Sequence, residues 1–125
     1  GSVAVLTPRE NLFTDGRLPR VLAMNDAKLP IALGTGSPAT GHAADVLAEA
    51  GCIYAHVPSM SARACLAMCT SVAADVLGLS ATHGMLKPGL TPGVLAIEHD
   101  EDVDDNPEAW LLSHLGAKRA LVGLV

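Results

Sequence analysis

Aromatic residues are nearly missing from this chain of 125 residues: Phe13, Tyr54 and Trp110 are the only three. A core cannot then rest on ring packing, and Leu, Val, Ala and Met must fill it, as in many helix-rich α/β proteins. Basic residues are also few. Eight Lys and Arg face thirteen Asp and Glu, for a net charge of −5, and the basic ones are scattered. Binding nucleic acid through phosphates needs clustered cations, so a nucleic-acid partner is not expected. Long apolar runs are absent too. The most apolar stretch, Ala62 to Leu79, is interrupted by Arg63 and Asp75, which argues against a membrane span. There are three cysteines, Cys52, Cys65 and Cys69. An odd number without a signal-peptide pattern does not make a disulfide framework, and reduced thiols in a cytoplasmic setting are expected.

Half of the residues are hydrophobic and the mean hydropathy is +0.36, enough apolar material for one domain or for one piece of a larger domain. The chain starts Gly-Ser and enters the apolar run Val3 to Leu6, and it closes on Leu121 to Val125. Domain termini more often fray into polar sequence. We therefore expect a piece of a longer polypeptide, although a tag scar would equally account for Gly1 and Ser2.

Hydrophobic patterning lays out the elements. Ser2 to Leu6 reads as a short, fully buried strand, ended by Pro8 and followed by a polar loop to Pro19. Pro19 suits the first turn of a helix over about Arg20 to Lys28, with Val21, Leu22 and Met24 inward. Pro30 to Leu33 reads as a second buried strand. Strand, helix and strand at this spacing make a βαβ unit with parallel strands. Gly34 to Gly41 is a Gly/Ser/Thr/Pro loop. Ala43, Val46, Leu47, Ala50, Ile53, Tyr54 and Val57 recur at helical spacing until Pro58. Ser61 is placed to cap a further helix to about Leu77, with Gly78 as its stop. Val94 to Ile97 is an apolar strand and Glu98 to Asp105 an acidic loop. Asp105 or Asn106 suits the cap of a short helix with Pro107 in its first turn, ending near Gly116. Arg119 to Val125 reads as the last strand.

In parallel α/β folds, chemistry gathers where strands end and loops begin. Two loops qualify here: Leu6-Thr7-Pro8-Arg9-Glu10-Asn11-Leu12 and Ala32-Leu33-Gly34-Thr35-Gly36-Ser37-Pro38. Arg9 and Asn11 are the candidate substrate contacts, since a guanidinium there would grip a carboxylate or ring heteroatom; a plain surface arginine is the bland alternative. Ser37 either orients its loop or caps the next turn. His42, His56, His83, His99 and His114 are dispersed, with no His-x-His or i, i+4 pair, and read as surface or loop histidines rather than zinc ligands. Cys65 and Cys69 lie one helical turn apart, as small core residues more readily than as a thiolate pair. The run Glu98, Asp100, Glu101, Asp102, Asp104 and Asp105 lacks the glycine of a calcium loop and reads as a solvated turn.

The order of motifs resembles the C-terminal third of the amidohydrolase superfamily, in its cytosine-deaminase/chlorohydrolase branch. Thr7-Pro8-Arg9-Glu10-Asn11 is similar to that branch's Cys-Pro-x-Ser-Asn loop after the seventh barrel strand. Gly16-Arg17-Leu18-Pro19 follows as its Gly-x-Leu-Pro does. Leu33-Gly34-Thr35-Gly36-Ser37 stands where it has Leu-Gly-Thr-Asp-Ser after the eighth strand. Met68-Cys69-Thr70, Leu77-Gly78-Leu79 and Gly84-Met85-Leu86-Lys87-Pro88-Gly89 keep the order as far as Ile97. The Pro-Arg-x-Asn form is similar to members acting on aminodeoxyfutalosine-type and related purine-like substrates.

The resemblance implies an α/β fold: the last two βα units of a (β/α)8 metal-dependent hydrolase barrel over residues 1–80, then part of a C-terminal β-sandwich over residues 81–125. It implies a parent that hydrolyses a C–N bond, or a C–halogen bond, on a small nitrogen heterocycle, with zinc or iron as cofactor. The departures limit this chain. Gly36 stands at the position of the family's Asp, a metal ligand and proton shuttle, and Thr7 and Glu10 replace the family's Cys and Ser. The family's remaining histidine ligands would lie before Gly1. The chain by itself is thus expected to hold no metal and to be non-catalytic, and to need the rest of the barrel or to self-associate. A degenerate, non-catalytic relative and an unrelated small α/β domain whose Gly34 to Gly41 loop cradles an anion are the competing readings.

Overall fold

The computed structural model describes residues 1–40, 43–90, 93–99, 102–103, 105–114 and, for the backbone, 120–124. Gly41, His42, Asp100, Glu101, Asp104, Gly116, Arg119 and Val125, named above, lie outside the described residues.

Two three-residue strands, β1 (Ala4–Leu6) and β2 (Ile31–Leu33), pair in parallel with Ala4 opposite Ile31 and Leu6 opposite Leu33. The ladder is extended by Ala4 N–H to Pro30 O and Gly34 N–H to Leu6 O, both at 2.9 Å. The expected parallel pairing is therefore present, in a small mixed α/β domain. Ala4, Leu6, Ile31 and Leu33 share one face of the pair by strand alternation, and it is this face that enters the core.

The first loop differs from expectation. Residues Pro8–Asp15 form a helix, α1, rather than a loop. Pro8 begins it at its first turn, where the missing N–H is no loss, and Gly16 closes it at φ 67, in the left-handed region, with its N–H on Leu12 O at 3.1 Å. Proline after a strand reads as a stop in the sequence, and here it is a start. The next helix, α2, covers Val21–Asp26 with Arg20 as its N-cap, so Pro19 precedes the helix and does not sit in its first turn. Val21 is buried and Met24 packs against the core, whereas Leu22 is exposed.

After a 3-10 turn at Pro38–Thr40, α3 (Val46–His56) is capped by Asp45, whose carboxylate accepts the Ala48 N–H at 3.0 Å. Ala43, expected within this helix, lies ahead of the cap. Ser61 caps α4 (Ala62–Cys69) as expected, accepting the Ala64 N–H at 3.2 Å. The expected single helix to Leu77 is two. Thr70, at φ −125 and ψ −94, separates α4 from α5 (Ser71–Val76). Both the Thr70 hydroxyl and the Cys69 thiol donate to Leu66 O, at 2.8 and 3.2 Å. Such back-bonding competes with the helical ladder and favours a bend.

The remaining elements are β3 (Val94–Glu98), α6 (Pro107–Ser113) and β4 (Ala120–Leu124). Asn106 caps α6 through the Ala109 N–H at 3.0 Å. β3 and β4 make an antiparallel ribbon with Val94 opposite Leu124. Helix α6 packs on α3 and α4, and its Leu112 joins the core of Leu6, Val21, Ile31, Leu33, Ile53, Met60 and Met68. Among the described residues no helix is long and apolar enough to cross a membrane.

Candidate strand-end site

The C-terminal ends of β1 and β2 bring together the two loops singled out in the sequence. Arg9, Glu10 and Asn11 lie on the first turn and a half of α1. Across from them run Gly34 to Ser37, joined to α1 through Glu10.

Arg9 is held from below. Its main-chain N–H donates to Glu49 Oε2 at 2.8 Å, and its guanidinium Nη1 lies 3.7 Å from Glu49 Oε1. The same Nη1 donates to Ala43 O at 3.3 Å. Glu49 sits in the first turn of α3 and is 2% exposed. The buried carboxylate therefore does what the Thr7 side chain does not: it caps the N-terminus of α1, where free amide N–H groups and the helix dipole favour negative charge. Arg9 is the counter-ion that lets Glu49 be buried. Its guanidinium is turned to α3 and the Ala43 carbonyl.

Glu10 points the other way, over the second loop. Its Oε1 accepts the Ser37 N–H at 3.4 Å. Its side chain fills the space where residue 36 would carry a Cβ: an atom placed there would stand 2.8 Å from the Glu10 Cβ and 2.5 Å from its Cδ, and would overlap Oε2. Gly36 is thus a glycine that leaves room for a neighbouring carboxylate. Ser37 caps its own turn, its Oγ accepting the Ala39 N–H at 3.2 Å and its carbonyl accepting the Thr40 hydroxyl at 2.7 Å. Asn11 is half-buried on α1.

Metal chemistry finds little support in this donor set. Glu49 is engaged by Arg9, Glu10 is a single carboxylate, and zinc or iron would need three or four ligands. Among the described residues no group of three His, Cys, Asp or Glu converges. The described residues thus do not offer the donor set that zinc or iron would need.

The thiols stand apart from the strand ends. Cys52, Cys65 and Cys69 are free. Burial pushes the Cys65 thiol up to about 11, helped by the neighbouring Cys69. Burial also raises Cys52, with Glu49 adding to the shift and Arg9 opposing it, and it raises Cys69. Thiols held protonated in this way are poor nucleophiles. His56 Nδ1 lies 2.9 Å from Cys52 O on its own helix, and the Trp110 ring lies 4.7 Å from that of His99 and 4.9 Å from that of His114.

Sequence reasoning missed Glu49, although a signal was present. Glu49 falls on the same helical face as Ala50 and Ile53, both fully buried, and a carboxylate on a buried stripe demands a cationic or N–H partner. The carboxylate of Glu10 was visible as a residue, but its fit to Gly36 depends on two loops meeting in space. The chain matches no protein-family model, and no curated protein matches it.

Proposed function

We propose that this chain is the strand-end portion of an amidohydrolase-like barrel, whose parent polypeptide hydrolyses a C–N bond on an amino-substituted nitrogen heterocycle, and that the 125 residues alone are not catalytic. The observation that carries the reading is the short parallel pair β1 and β2, whose second face is left exposed at Val3 and Val5, although Ala32 on that face is buried. The Leu6, Ile31 and Leu33 side is buried, while Val3 and Val5 on the opposite side are 46% and 61% exposed. Parallel sheets are ordinarily covered on both faces, and in a closed barrel the second face is the packed interior. The motif order from Thr7-Pro8-Arg9-Glu10-Asn11 to Gly84-Met85-Leu86-Lys87-Pro88-Gly89 supports the same assignment.

In this reading Arg9 and Glu49 are a positioning pair that fixes the start of α1, Asn11 and Ser37 border the substrate, and zinc or iron belongs to residues of the parent outside this chain. The setting proposed is cytoplasmic. The gene upstream of Gly1 tests the proposal. A series of βα units carrying a His-x-His strand, with stoichiometric metal and hydrolysis of an aminated heterocycle by the extended polypeptide, supports it. A barrel lacking that strand makes the chain part of a non-catalytic relative. A stop codon or start site just before Gly1 sinks the proposal.

A further inference from the structure

Two carboxylates stand at the C-terminal ends of β1 and β2, and they are not equivalent. Glu49 is buried and is occupied by the Arg9 N–H at 2.8 Å and by its guanidinium. Glu10 is partly exposed. A Glu at the third position of a helix ordinarily reaches back to the N-cap amide. Glu10 instead crosses to the other loop and lies over Gly36. There the Ser37 N–H, at 3.4 Å, is the one hydrogen-bond donor to its carboxylate among the described residues. That distance is at the long limit for such a bond, so the described residues leave most of the acceptor capacity of this carboxylate unused.

We infer that the strand-end site takes ligands presenting paired N–H donors, with Glu10 as the carboxylate that meets them and Gly36 as the opening that lets it stand there. The inference rests on the reading above that the strand ends form the substrate site, and it adds the residue and the ligand chemistry. An ionised carboxylate is an acceptor only, with two oxygens suited to two parallel donors. A ring N–H beside an exocyclic amine, or an amidine, supplies that pattern, and an anion does not. Arg9 does not compete for Glu10, because its guanidinium is turned to Glu49 and Ala43 O. Ser37 holds Glu10 loosely, so a ligand gains a charge-assisted pair without breaking a strong one. Any side chain at position 36 would push the Glu10 carboxylate out of the site.

The probe is 2-aminobenzimidazole, titrated into the isotopically labelled 125-residue chain and followed at the Gly36 and Ser37 amides and the Glu10 carboxyl carbon by NMR, with benzoate as the anionic control. Saturable shifts at those three positions are expected with 2-aminobenzimidazole and none with benzoate. Glu10→Gln should weaken binding roughly tenfold or more, since one charged acceptor is replaced by a neutral amide. Gly36→Ala should weaken it comparably, and Glu10→Asp should fall between. The last two carry the comparison if Glu10→Gln fails to fold. Binding by the wild type with equal affinity in Glu10→Gln overturns the inference, leaves the strand-end reading standing and reduces Glu10 to a latch for its loop. Absence of binding by the wild type, or shifts mapping away from Gly36 and Ser37, overturns the inference, while the strand-end reading is decided by the gene upstream of Gly1.

Discussion

The Arg9 main-chain N–H donates to Glu49 Oε2 at 2.8 Å, so a carboxylate 40 residues downstream caps α1. The cap ties the loop after β1 to the first turn of α3. Glu49→Ala would strip the N-terminus of α1 of its acceptor and leave the Arg9 guanidinium short of its ion pair. Breaking a buried pair from one side costs about 3–5 kcal/mol. Glu49→Gln retains an oxygen for the N–H and should cost less. Arg9→Ala keeps the N–H bond but strands a buried charge, and should fall between the two. Urea unfolding of the three variants checks the order; a loss below about 0.5 kcal/mol for Glu49→Ala, the size expected of a surface change, would contradict the capping role.

The contact between Glu10 and Gly36 predicts non-additive stability. Gly36→Ala in the wild type forces Glu10 aside and should cost about 1–3 kcal/mol, as overpacking does. On a Glu10→Ala background the obstruction is gone, and the same substitution should be near neutral. Residues in contact commonly couple by about 0.5–3 kcal/mol in such cycles. Equal effects in the two backgrounds would show that Glu10 does not fill the space at Gly36.

These two relationships lie beyond what the sequence makes readable. β2, the Ser61 and Asn106 caps and the parallel pairing of the two strands follow from local chemistry: apolar runs bounded by proline, and capping side chains ahead of helices. Helix α1 was hidden because Thr7 is a weak cap here and the residue that does cap it, Glu49, lies on another helix. The break at Thr70 was hidden because an apolar run from Ala62 onward suits a continuous helix, and only the side chains of Cys69 and Thr70, both turned onto Leu66 O, reveal the bend. Arg9, Asn11 and Ser37 were singled out from position after a strand. Their neighbours in space, Glu49 for Arg9 and Glu10 for Ser37, depend on tertiary packing that spacing along the chain does not record.

The thiols predict a dependence on pH. Cys65 is fully buried, and its thiol is raised from 9.0 to about 11. The folded state therefore favours the protonated form more than the unfolded chain does. That preference adds stability below the unfolded value and is lost as pH rises through the folded one, between pH ~9 and ~11. Unfolding midpoints in urea should fall across this window, and Cys65→Ala should flatten the fall, with a lower midpoint throughout because packing is lost. Alkylation at neutral pH should be slow at all three thiols and slowest at Cys65. Rapid modification of Cys65 in the folded chain would place it at the surface instead.

Val5 carries the last prediction. Its side chain is 61% exposed on the sheet face opposite the core, beside the exposed Val3 and leaning on Gly34, where an added Cβ would stand 3.4 Å from Val5 Cγ1. In the parallel ladder Ala4 and Leu6 turn their hydrogen-bonding groups toward β2, so those of Val5 face the other edge of β1, where no strand pairs among the described residues. An apolar face beside an unpaired edge is a site of association. The isolated chain should therefore sediment as species that grow with concentration. Val5→Lys places a charge on that face and edge and should shift the distribution toward monomer. An exposed position of this kind contributes little to folding, so the unfolding free energy should change by no more than about 0.5 kcal/mol. Sedimentation velocity over a concentration series, on wild type and variant, decides it. A wild type that stays monomeric throughout would show that the Val3 and Val5 face needs no cover, and would remove the main support for an incomplete barrel.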